Sequence, residues 1–141
     1  MTSKELAILN EGSEHKPYTD TKGKITIGIG RNLSDVGLSD DEIDFLFQND
    51  IKRAENGLLK YLPWSEKLDK NSARYSTLRD LAFNMGIVKL LSFSNTLAFY
   101  EKGEYSKAAD NLILSKWYNQ VGYRGPRIVN MIRFNIFPEG D

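Results

Sequence analysis

Glu11, Asp20 and Thr26 fall within one short stretch, NEGSEHKPYTDTKGKITIGIGRNL, at spacings of nine and six residues. Breaking an acetal requires a proton for the departing oxygen and a nucleophile on the opposite face of the ring. Two carboxyl groups and a hydroxyl can meet that demand: one acid, one base that directs water, and one group that holds the water. Glu11 closes a short expected helix, where the negative end of the macrodipole favours a protonated carboxyl. Asp20 belongs to a hairpin and is expected in a wetter setting, ionised. Thr26 lies on the returning strand with a hydroxyl able to hold water.

These three residues need a helix end, a turn and a strand around them, and the local sequence supplies all three. Ser3 is the expected cap of a helix through LAILNE, which Gly12 stops. Pro17-Tyr18 and Lys24–Ile27 read as two short strands around Asp20-Thr21-Lys22-Gly23. The glycines of GIGIG let the backbone turn tightly or approach a ligand, and no capped helix with a lysine follows to make them a phosphate loop. Ser39-Asp40-Asp41-Glu42 is a capping box that opens a long helix. Its apolar positions Ile43, Leu46, Phe47, Ile51, Ala54 and Leu58 are expected to form one buried stripe.

Pro63 and Trp64 mark a junction, after which the chain reads as wholly helical. Tyr75, Leu78, Leu81, Ala82 and Met85 make one stripe, ended by Gly86. Ser94 is the expected cap of a helix closed by Gly103. Ala108, Ala109 and Leu112 form another stripe, and Ile128, Val129, Ile132 and Phe134 are expected to face inward on the last helix. The fold class is α+β.

At 141 residues, 40% of them apolar, the chain suits one packed domain. Cysteine is absent, so the fold uses neither disulfide nor thiolate metal site. His15, the only histidine, has no partner ligands and is expected on the surface; no metal site and no cofactor are expected. Zero formal net charge argues against nucleic acid as the main partner. The charge is nonetheless unevenly spread. Residues 34 to 50 carry six acidic and no basic side chains, whereas 111 to 133 carry Lys116, Arg124, Arg127 and Arg133 with no acidic one. Neither a membrane-spanning run nor the apolar region of a secretory signal is evident, so folding in a cytoplasm is expected. Trp117 is expected to pack in a core, and Trp64 to close the junction.

The blocks EG at 11–12, YTDTKGKITIGIG at 18–30, FNMG at 83–86, FSNTL at 93–97 and SKWYNQVGYRGPR at 115–127 resemble the phage-type lysozymes of glycoside hydrolase family 24, T-even phage lysozymes among them. They are collinear and span nearly the whole chain, with the segment between hairpin and long helix shortened. The resemblance implies a lysozyme-like fold: a single domain over 1–141 with a β-containing lobe at about 13–58 and a helical lobe at about 59–141 that includes the first helix, 3–12. It implies a cleft between the lobes and a long helix acting as a hinge.

Carried over by position, the family's catalytic residues fall on Glu11, Asp20 and Thr26. Its substrate contacts fall on Asn32, Phe83, Thr96 and Asn111, with threonine at 96 and asparagine at 32 in place of the family's serine and leucine. Arg124 matches an arginine that pairs with the catalytic glutamate. Arg31 stands where the family has a histidine paired with the aspartate at Asp50, and an Arg31–Asp50 pair is therefore expected. The implied activity is muramidase cleavage of bacterial peptidoglycan, with a lytic transglycosylase or a non-catalytic wall-binding module as alternatives. The resemblance fits a phage endolysin, with prophage-encoded and tail-associated lysozymes sharing such domains, and a monomer without stable membrane association is expected. Such an endolysin waits in the host cytoplasm until a holin opens the way to the periplasmic wall.

Overall fold

The computed structural model describes residues 1–139, which divide into two compact units, Met1–Leu46 and a second from Phe47 onward. The expected boundary lies near residue 58, with the first helix assigned to the helical lobe; here the division falls within the long helix and the first helix groups with the sheet.

The first unit opens with α1 (Ser3–Glu11). Thr2, rather than Ser3, is its cap: its hydroxyl accepts from the Glu5 amide at 3.1 Å while Glu5 accepts from the Thr2 amide at 2.7 Å. The reciprocal glutamate three residues on selects this register over its neighbour. Three antiparallel strands follow in the order β1 (Glu14–Thr19), β2 (Ile25–Gly28) and β3 (Arg31–Asn32). β1 is an edge strand, which accommodates Pro17 without loss of a ladder donor.

The β1–β2 turn is built by its own residues. The Asp20 amide donates to the Lys24 carbonyl, and the Gly23 amide donates back to the Asp20 carbonyl at 3.0 Å. Gly23 adopts φ 79°, the left-handed position that a three-residue hairpin loop needs.

α2 (Asp40–Tyr61) runs from the first unit into the second. Ser39 and Glu42 form the expected capping box: the Ser39 amide donates to Glu42 Oε1 at 2.9 Å and the Glu42 amide to Ser39 Oγ at 3.3 Å. Of the expected stripe, only Ala54 and Leu58 are buried, while Ile43, Leu46 and Phe47 are about half exposed. The buried part lies where the helix packs into the second unit's core; Gly57 comes close enough to Ile87 that a Cβ there would sit 3.1 Å away.

The second unit continues with a 3-10 turn (Pro63–Lys67), α3 (Ala73–Met85), α4 (Ile87–Leu91), α5 (Ser94–Glu101), α6 (Tyr105–Ile113), α7 (Lys116–Gln120) and α8 (Arg124–Phe134). Its core gathers Leu58, Leu78, Leu81, Leu90, Leu97, Tyr100, Leu112, Trp117, Ile128 and Ile132. Trp117 is buried as expected, and Trp64 packs against the core with its ring 6.0 Å from that of Tyr100.

Two expectations change here, and one element is new. α4 was not legible, because five residues carry no resolvable period. Ser94 is the first residue of α5 rather than its cap; Phe93 holds that place with no side-chain bond. Phe134 is exposed, since α8 ends there and Asn135 turns left-handed with φ 54°.

Arg74 holds that end in place. Its Nε donates to the Ile132 carbonyl at 2.8 Å, a terminal nitrogen donates to the Arg133 carbonyl at 3.0 Å, and its own amide donates to Asn135 Oδ1 at 3.1 Å. The guanidinium also lies 3.7 Å above the Tyr105 ring. One side chain thus binds α3 to the last carbonyls of α8, which a helix cannot satisfy internally.

Candidate active site

Glu11 is the last residue of α1, released into the chain by Gly12. Its side chain lies against the backbone of Gly30, close enough that a Cβ on that glycine would come within 2.9 Å of Glu11 Cγ. Helix end and β2–β3 turn therefore touch.

Asp20 is held by the turn it helps to build. Its Oδ1 accepts from the backbone amides of Lys22 and Lys24, both at 2.8 Å. A carboxylate gripped through one oxygen keeps a fixed direction for the other, Oδ2, which makes no hydrogen bond to the described residues.

Thr26 is the only buried residue of the three, 4% exposed, at the centre of the sheet. It faces Tyr18 on β1 and Asn32 on β3 in register. Cross-strand partners share a face, so Tyr18, Thr26 and Asn32 form one row across the sheet. The Thr26 hydroxyl donates to the Lys24 carbonyl at 3.2 Å, and its lone pairs remain free to accept. The Asn32 amide, in turn, is tied to Asp35: Nδ2 donates to Asp35 Oδ2 at 3.0 Å while Oδ1 accepts from the Asp35 amide at 3.0 Å. Tyr18 was not singled out from sequence; its signal was its place opposite Thr26, which only the register reveals.

Arg31 does not pair with Asp50. Its guanidinium forks onto Glu42, with contacts of 2.7 Å to Oε1 and 2.5 Å to Oε2, and also donates to the Gly37 carbonyl at 3.1 Å. Asp50 instead takes Arg53, one helical turn away, at 3.0 Å. Planar matching accounts for the choice: the capping box has already oriented the Glu42 carboxylate, and a guanidinium binds such a group through two parallel bonds. The Arg31 guanidinium and the Ser39 cap hold the Glu42 carboxyl at about 2, well below the usual carboxylate range. The same contact raises Arg31.

In the second unit Phe83, half exposed on α3, meets the Phe47 ring edge-on at 5.7 Å. Phe83 and Asp50 line one concavity of about 390 Å³ with Arg53, Ala54, Gly86 and Ile87. Thr96 and Asn111, fifteen residues apart, are joined directly: the buried Thr96 hydroxyl donates to Asn111 Oδ1 at 2.6 Å. That bond fixes the amide and directs its Nδ2 donor away from Thr96. Asn111 lines an open groove of about 250 Å³ with Ser92, Ser94, Asn95 and Ser115, and Phe93 and Leu114 complete its lining. Arg124, at the start of α8, donates to Asn84 Oδ1 at 3.2 Å. Asn84, the neighbour of Phe83 within FNMG, is a second residue that sequence reading passed over.

His15 is exposed on β1, and no group of three potential metal ligands is found among the described residues. Among the described residues no helix is long and apolar enough to cross a membrane.

A small antiparallel sheet on a chain whose remaining elements are helical is a lysozyme-like α+β arrangement. The comparisons agree. The family described as phage lysozyme matches residues 9–131, and the chain belongs to that family. Probable T4-type lysozymes 1 and 2 of Dictyostelium discoideum are each 25% identical to it, with alignments covering 92% and 96% of both partners respectively. The pre-baseplate central spike protein Gp5 of Enterobacteria phage T4 is 24% identical, matching 94% of this chain but only 28% of the spike protein.

Proposed function

We infer that the protein is an endo-acting muramidase that hydrolyses the β-1,4 bond between N-acetylmuramic acid and N-acetylglucosamine in bacterial peptidoglycan. The carrying observation is the arrangement in the first unit, where Asp20 keeps one oxygen free and Thr26 presents lone pairs from a hydroxyl already donating elsewhere. In this reading the attacking water gives one hydrogen to Asp20 Oδ2 and the other to Thr26 Oγ1. Both O–H bonds are occupied in this way and the oxygen lone pair is left for the anomeric carbon. Glu11 gives its proton to the departing sugar oxygen as the bond breaks, and Asp20 takes a proton from the attacking water.

Delivery of water from the face opposite Glu11 inverts the anomeric centre, a course that suits carboxyl groups about 6.5–9.5 Å apart. Asn32, beside Thr26 on the sheet, and Phe83, Thr96 and Asn111, on the helices, are the proposed sugar contacts. Arg124 occupies the position of the family's arginine, and here its guanidinium donates to Asn84. The chemistry draws on no cofactor or metal. In its biological setting the enzyme is an endolysin, monomeric, held in the host cytoplasm until a holin admits it to the wall.

Purified sacculi digested with wild type and Glu11→Gln test this reading. New reducing ends are expected, with kcat lowered about 10²–10⁴-fold in the variant, the usual worth of a positioned proton donor. Anhydromuramic ends would instead mark a transglycosylase, and wall binding without any cleavage a non-catalytic module.

A further inference from the structure

Among the described residues eight glycines have positive φ, and for most of them the backbone conformation alone accounts for the residue: a Cβ added at Gly12, Gly23, Gly28, Gly37, Gly86 or Gly122 would meet nothing within 4 Å. Gly30 is different. With φ +69°, it would place a Cβ 2.9 Å from Glu11 Cγ, 3.1 Å from Glu11 Cβ and 3.2 Å from Glu11 Cδ. All three neighbours belong to one side chain, and that side chain is the proposed proton donor.

The contact reaches the root of the glutamate as well as its stem. A collision confined to the carboxyl tip could be relieved by rotation about the outer bonds. A collision at Glu11 Cβ cannot, since that atom moves only with the backbone at the end of α1. The bare face of Gly30 is therefore a wall against which the glutamate stem rests, and it lets α1 and the β2–β3 turn approach more closely than any side chain would permit.

We propose that Gly30 is a positioning residue for the Glu11 carboxyl: the absence of a Cβ at 30 fixes where the stem of residue 11 lies and so where its proton is delivered. The proposal rests on the assignment of Glu11 as the acid. Displacement of a reacting group by about 1 Å can cost of the order of 10²-fold in rate, so a methyl group that shifts the stem of Glu11 acts on the chemistry as well as on folding.

Gly28 supplies the matched control. It lies two residues earlier in the same turn with φ +66°, so alanine there carries the same left-handed strain but touches nothing. Gly30→Ala, Gly28→Ala and Gly30→Asn are compared by urea unfolding, by kcat and apparent KM on purified sacculi, and by the ¹³C shift of the Glu11 side-chain carboxyl. Asparagine tolerates positive φ, so Gly30→Asn keeps the Cβ with less strain and serves if the alanine variant does not fold.

Both alanine variants carry the left-handed strain, and Gly30→Ala is expected to lose more stability than Gly28→Ala by the cost of displacing the end of α1. Only substitution at 30 should move the Glu11 resonance and lower kcat at least tenfold, with apparent KM within twofold of wild type. An unmoved Glu11 resonance in a folded Gly30 variant, or an equal loss of kcat in Gly28→Ala, overturns the proposal. Full activity of Glu11→Gln would strike the assignment of the acid instead, and the resonance would still report whether position 30 places the side chain.

Discussion

Replacing Arg74 by methionine should weaken the second unit by about 3 kcal/mol. The change keeps most of the aliphatic stem while deleting the guanidinium. Two hydrogen bonds from that group end on the Ile132 and Arg133 carbonyls, at 2.8 and 3.0 Å. Bonds from a charged donor contribute about 1.5–3 kcal/mol each when buried. Arg74 is only half-buried and water can reach a helix end in its place, so about 1 kcal/mol apiece is the appropriate share. Stacking of the guanidinium 3.7 Å over Tyr105 adds about 1 kcal/mol at such a site. The bond from the Arg74 amide to Asn135 is a backbone contact and survives the substitution.

Urea unfolding at neutral pH measures the total, and thermal unfolding should show a fall of the order of 10 °C. A double-mutant cycle with Tyr105→Leu isolates the stacking share, expected at about 1 kcal/mol. A loss below about 1 kcal/mol for Arg74→Met would refute the idea that this residue clamps α3 to α8. Zero coupling to Tyr105 would remove the stacking contribution alone. The consequence for the site is indirect: α3 carries Phe83 and Asn84 while α8 begins at Arg124, so loosening the clamp should raise the apparent KM more than it lowers kcat.

Two further outcomes follow from the site's polar contacts. The Glu42 carboxyl titrates at about 2 in the folded protein against an ordinary 4.5, so between those values the unfolded chain binds the extra proton. Its contribution to stability is complete above about pH 4.5 and lost as pH falls toward 2. Urea unfolding across pH 2–5 should therefore show a shallower acid-side decline in Glu42→Gln than in wild type, and identical slopes would count against the Arg31–Glu42 fork. Thr96→Val removes the hydroxyl that orients Asn111 while keeping the buried volume; stability should change by no more than about 1.5 kcal/mol in either direction. Apparent KM on sacculi should rise severalfold, and an unchanged KM would separate Asn111 orientation from sugar binding.

Features that depend on near neighbours in the chain were legible before any coordinates. Gly12 and Gly86 stop helices because each lets the chain leave the helical conformation, and Ser39 with Glu42 opens α2 because reciprocal capping needs only a three-residue offset. The Asp20–Gly23 turn was readable for the same reason, and with it the places of Glu11, Asp20 and Thr26 at a helix end, a turn and a strand. Where local signals compete, the sequence was less decisive: Thr2 and Ser3 are both good caps, and only the reach of Glu5 separates them.

Choices among partners distant in sequence were settled by tertiary structure. Arg31 was expected to meet Asp50, but Glu42, whose carboxylate is already oriented by a cap, received the fork. Half of the α2 stripe is periodic without being buried, because period describes one face of a helix and burial depends on what meets that face. The bond from Thr96 to Asn111, the grip of Arg74 on α8, and the rest of Glu11 on Gly30 join residues 15, 58 and 19 positions apart. A one-dimensional pattern records which side chains are available; the packing of helix ends and turns decides which of them touch.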